Sequence, residues 1–209
     1  MKSKVVSLII LISIFLLNDL FFIHVKSWQA FLVVDYGSRI LAILIILYLL
    51  KSRRCTLAEL GYNKIRVRAF IAWSVILCAT GILIDHYGWK FFMKILPNTA
   101  LFNFPGIENK FVKIFDLSIG MILVSLTEET IFRGYCFSVL KDYIKNPVAL
   151  VAVSAVIFGS IHWSLGLDAV IMTALWSILP MISVIRTGSI LPALIAHYAT
   201  DFMYFIPTK

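Results

Sequence analysis

Six side chains capable of acid–base or electrostatic work recur at regular spacings in the second half of the chain. Glu128, Glu129 and Arg133 come first, His162 follows, and His197 and Asp201 close the set. Glu129 and Arg133 are four apart, the spacing of a same-face ion pair on a helix. Glu128 points about 100° away from Glu129, so it has no cation within its own helix. A carboxylate in that position suits a general base or acid near neutral pH. His197 and Asp201 are again four apart and face one direction. Beside His162, Gly159 and Ser160 are small enough to let another helix come close.

All six lie in segments apolar enough to cross a bilayer. The 209-residue chain is 61% hydrophobic and only 14% charged, with a mean hydropathy of +0.95. Soluble domains carry about 25% charged residues. The expected fold is therefore an all-α, polytopic integral membrane bundle of about seven transmembrane helices, read as one membrane domain over 1–209. An uncompensated charge at mid-span costs roughly 2.5–3.5 kcal/mol. Three of them between Leu117 and Leu140 must face the protein interior. The net charge of +8 does not indicate nucleic acid, because the basic residues gather at span boundaries, where topology and anionic headgroups account for them. Cys55, Cys78 and Cys136 are scattered and odd in number, without a paired metal or disulfide motif.

The spans read as 5–23, 29–50, 69–84, 117–140, 148–167, 168–185 and 189–207. Asn18 and Asp19 fall near the far interface of the first, and Asp35 and Arg39 form an intrahelical pair in the second. Between the third and fourth, the aromatic and lysine-bearing stretch 89–96 reads as an interfacial helix. Pro180 kinks the sixth span, and Ser189 and Pro192 restart the chain for the seventh. With the N-terminus inside, inner segments hold eleven Lys and Arg and outer segments six, the sense of the positive-inside rule. On a rise of about 1.5 Å per residue, Glu128, His162, His197 and Asp201 then share the outer half of the membrane.

Three motifs on successive spans carry a resemblance. Glu128-Glu129-x-x-x-Arg133, Phe158-x-x-x-His162 and His197-x-x-x-Asp201 resemble the CAAX prenyl endopeptidase type II and bacteriocin-processing family (CPBP, or Abi) of intramembrane proteases. The approach Thr187-Gly188-Ser189-Ile190-Leu191-Pro192 to His197 is similar to that family's entry into its last motif. The resemblance covers roughly 117–205, the expected catalytic core; 1–116 supplies spans and an outer loop. It implies an endopeptidase in which Glu128 activates water, His162 holds and polarises it, and His197 with Asp201 stabilises the oxyanion. Glu129, Arg133 and Phe158 would brace the site. Where the family has Asn, this chain has Asp201, which when ionised only accepts hydrogen bonds.

A glutamate–water mechanism without a metal is expected. A Glu with two His also resembles a zinc set, but no H-E-x-x-H pair is present. The expected partners are a membrane-anchored peptide or protein substrate and the lipid bilayer, with no nucleic acid. The expected location is a prokaryotic inner (cytoplasmic) membrane. A non-catalytic role in immunity to a peptide toxin (bacteriocin), or as a membrane scaffold, is the alternative of a different class. A proton-coupled transporter fits less well, since no internal repeat is apparent.

Overall fold

Asn146 and Pro147 show how local chemistry sets the helix boundaries. The Asn146 side chain accepts from the Val148 and Ala149 backbone N–H groups, and Pro147 takes the first helical position. Asn109 caps the preceding helix in the same way, and Ser27 accepts from the Ala30 N–H. At the other end of the scale, Gly188 ends a helix in the left-handed conformation with φ +72°.

The computed structural model describes residues 2–206, and within them the chain forms seven helical rods. We number them α1 (Lys2–Phe22), α2 (Trp28–Lys51), α3 (Val67–Ile95), α4 (110–143), α5 (Pro147–Ser160), α6 (Leu167–Thr187) and α7 (Leu191–Phe205). A single 3₁₀ turn, Trp163–Leu165, joins α5 to α6. No strand occurs among the described residues. Pro207, the expected end of the last span, and Lys209, one of the outer charges, lie outside them. Four rods are long and apolar enough to cross a membrane: Ser3–Phe22, Trp28–Lys51, Val67–Ile95 and Leu167–Thr187. The chain is an integral membrane protein built as an all-α bundle.

Two expected boundaries shift. The third span does not stop at residue 84, because a π-helical turn at Ile84–Gly88 carries it into Trp89–Ile95. The stretch read as a separate interfacial helix is thus the end of α3. Likewise α4 begins seven residues before Leu117, passing through a π-helical turn at Asp116–Gly120. Wider i→i+5 turns absorb residues that would otherwise break a rod.

The charged helix α4 sits inside the bundle. Every residue from Thr127 to Cys136 is buried, whereas Val33, Ile40, Leu44 and Leu47 of α2 and Val67, Ile71 and Val75 of α3 face outward. The surrounding helices give lipid an apolar face, and α4 keeps its charges in protein. Close packing depends on small residues at two places. A Cβ on Gly134 would collide with the Leu60 backbone, so the 52–66 connection lies directly against α4. A Cβ on Gly159 would collide with Val170 and Ala174, which identifies α6 as the helix that approaches next to His162.

The connection from α3 to α4 covers the end of the bundle opposite the N-terminus. Leu101 and Phe102 donate backbone N–H groups to the Ser164 carbonyl at 2.8 and 3.0 Å. The Phe102 ring stacks on Phe22, with centroids 4.9 Å apart. Asn18 and Asp19 are buried beneath it rather than interfacial, and Asp19 Oδ2 accepts from the Ser164 N–H at 2.9 Å.

Candidate active site

An eight-residue π-helical run, Glu129–Cys136, begins immediately after Glu128. Such wide turns cluster at functional sites, and here the run opens on the paired carboxylates. The two acids diverge as their adjacency requires: Glu128 turns toward α2, and Glu129 turns toward α7.

Glu129 meets His197 first. Its Oε1 accepts from His197 Nδ1 at 2.7 Å. The expected partner Arg133 is also present, with Nη1 3.2 Å from the same oxygen, as an ion pair without hydrogen-bond geometry. The Arg133 guanidinium instead lies flat over Phe158, 3.7 Å from the ring centroid, and 5.2 Å from that of Trp176. A desolvated cation on an aromatic face gains about 2 kcal/mol, which helps a fully buried arginine to tolerate its position.

His197 stands between three carboxylates. Nδ1 is committed to Glu129, while Nε2 lies 3.7 Å from Glu128 Oε2 and 3.4 Å from Asp201 Oδ2. Trp176 covers one face of the imidazole at a centroid distance of 4.9 Å. The sites grow more open from Glu128 to Asp201, whose side-chain exposures are 5% and 24%. Exposure within the cluster therefore rises toward the C-terminal half of α7.

His162 lies just beyond the end of α5, where its Nδ1 donates to the Phe158 carbonyl at 3.1 Å. That bond fixes the tautomer and leaves Nε2 free to accept. The ring packs edge-on against Phe158, at 5.2 Å. It is close enough to Glu128 and His197 to interact electrostatically with both. The structure thus gathers Glu128, Glu129, Arg133, Phe158, His162, His197 and Asp201 in one layer.

Two residues enter that layer unannounced by the motifs. Arg39 reaches across from α2, and its Nη1 donates to Glu128 Oε1 at 2.8 Å and to Thr127 Oγ1 at 3.3 Å. Glu128, without a cation in its own helix, therefore takes one from α2. The Asp35–Arg39 pair forms as its spacing indicates, with Arg39 Nε 3.1 Å from both Asp35 oxygens, but it is only half of Arg39's engagement. A charge inside an apolar span was the available signal for Arg39. Trp176 gave none, since one more aromatic in a membrane helix is unremarked.

With Oε1 on Arg39, Glu128 Oε2 is buried without a hydrogen-bond partner, facing His197. This arrangement brings a proton acceptor, two imidazoles and a further carboxylate together in an apolar surround. Such a set can take a proton from water and stabilise a developing oxyanion. As to metals, no three His, Cys, Asp or Glu side chains among the described residues converge in a geometry that would hold one.

Residues 110–203, which contain all of α4, α5, α6 and most of α7, match the family described as type II CAAX prenyl endopeptidase Rce1-like. No curated protein and no solved structure gives a significant match. Over that segment, a little under half of its length, the chain is similar to the type II CAAX prenyl endopeptidase Rce1-like family, a family of proteases.

Proposed function

We propose that this chain is an intramembrane endopeptidase that hydrolyses a peptide bond in a membrane-associated peptide or protein tail, with Glu128 as the base. The observation that carries the reading is the free Glu128 Oε2, buried 3.7 Å from His197 Nε2. Water bound there gives its proton to Oε2 as its oxygen attacks the scissile carbonyl carbon. His162 Nε2 accepts a hydrogen bond from the water, and His197 Nε2–H donates one to the resulting oxyanion. As the C–N bond breaks, the proton on Glu128 passes to the leaving amine. Glu129 fixes the His197 ring through Nδ1, and Arg133 and Phe158 hold Glu129 and His162 in turn. Asp201 orients His197 from the more open side. The chain's own residues complete this route, and zinc is assigned no part in it.

In this reading the substrate reaches the site from the end opposite the N-terminus, a sidedness that the Lys and Arg distribution supports as outward, in a prokaryotic inner membrane. Glu128→Gln keeps the size and the Arg39 contact but removes the basic oxygen. Cleavage of an internally quenched prenylated peptide with a CAAX tail by the reconstituted protein should fall about 10³-fold, within the range for loss of general base catalysis. The toxin-immunity or scaffold reading expects the cellular effect of the protein to survive that substitution unchanged.

A further inference from the structure

Arg39 lies outside the segment that matches the protease family, yet it makes a short contact to the central carboxylate. Its guanidinium is used on two edges. The Nε and Nη2 edge faces Asp35, at 3.1 Å from Nε to each oxygen and 3.0 Å from Nη2 to Oδ1. That fork matches one carboxylate in plane and leaves Nη1 directed away from α2. Nη1 then donates to Glu128 Oε1 at 2.8 Å and to Thr127 Oγ1 at 3.3 Å. All three charged side chains are more than nine-tenths buried, and the Phe15 ring, 5.8 Å from Arg39 Cζ, closes a further side.

Asp35 neutralises the Arg39 charge but takes only its Nε and Nη2 edge, which leaves the buried Nη1 donors for another helix. What the extra reach does is distinguish the two oxygens of Glu128. Oε1 is occupied; Oε2 is turned toward His197. We propose that Arg39, held in plane by Asp35, is a positioning residue for the Glu128 carboxylate, fixing its rotamer so that Oε2 is the oxygen presented to water. This rests on the reading of Glu128 as the base, and it makes α2 a part of the site. Lysine would keep the charge but lose the fork: its single ammonium cannot hold Asp35 in plane and reach Glu128 at once.

The test measures turnover of the prenylated CAAX-tail peptide by the full chain in liposomes, together with the infrared carboxylate bands. Arg39→Gln should lower kcat about 100-fold, the scale of a misplaced reacting group, with KM little changed. Arg39→Lys should recover part of that loss, and Asp35→Asn should show a smaller loss of the same kind. The band removed by Glu128→Gln should be displaced in Arg39→Gln protein, a readout independent of turnover that general loosening of the bundle does not reproduce. Wild-type kcat and an unmoved Glu128 band in Arg39→Gln and Arg39→Lys would overturn the proposal. If Glu128→Gln cleaves like the wild type, the base assignment falls instead. If Arg39→Gln does not fold, the Arg39→Lys and Asp35→Asn proteins decide by the same two measurements.

Discussion

Asp201 sits 3.4 Å from His197 Nε2, while Glu129 holds Nδ1 at 2.7 Å, so the imidazole is suspended between acceptors. In the proposed mechanism Asp201 orients His197 rather than contacting the oxyanion, since an ionised carboxylate cannot donate. Asp201→Asn keeps an acceptor oxygen but replaces the carboxylate charge facing His197 Nε2 by a neutral amide. That difference is about 1.4 kcal/mol, so kcat/KM should fall roughly tenfold. A steady-state comparison with Asp201→Ala, which removes the acceptor entirely and should lose more, checks the assignment. Undiminished activity in Asp201→Asn would return Asp201 to a donor role. The motif residues were legible because charges in apolar spans are conspicuous and their i, i+4 spacings are diagnostic. Spacing also concealed something. Asp35 and Arg39 explain each other within one helix, so nothing in their positions announced that Nη1 reaches α4.

At the scale of elements, α4 depends on the 52–66 connection as much as on its helical neighbours. Tyr62 Oη and Thr130 Oγ1 are 2.6 Å apart, at the residue that follows Glu129, and Leu60 packs where Gly134 has no side chain. Lys4 and Glu59 tie the same connection to the start of α1. Burial pushes the Glu59 carboxyl upward, but the Lys4 ammonium and the Thr56 N–H outweigh it and hold the group below the usual carboxylate range. Gly134→Val should push this connection away from α4 and destabilise the protein by about 1–3 kcal/mol, as overpacking does. Thermal unfolding in detergent measures it, and an unchanged midpoint would show that the contact yields without cost. The sequence marked α4 as central but placed the end of α3 incorrectly. Periodicity and hydropathy do not reveal π-helical turns, which let a rod continue past the residues that look like its end.

Taken whole, the molecule solves a solvation problem. Its lipid-facing helices are apolar, and the charges of the central layer are buried with partners: Arg39 with Asp35 and Glu128, Arg133 with Glu129 and the Phe158 ring, and His197 with Glu129. Four rods are apolar enough to be recognised as spans on their own. The other three carry most of the chemistry and rely on those four for cover, which is why composition displayed the fold class plainly and the partners across helices hardly at all. The family match covers 110–203, and α1 and α2 supply Asp19, Asp35 and Arg39 around the charged layer within it. The central claim is that water activated by Glu128 breaks a peptide bond. Cleaving the prenylated CAAX-tail peptide in H₂¹⁸O and weighing the products by mass spectrometry tests it most directly. The account predicts one ¹⁸O in the newly formed carboxylate with wild-type protein and scarcely any cleavage with Glu128→Gln. Absence of product from the wild type, or equal labelled product from both proteins, would contradict it.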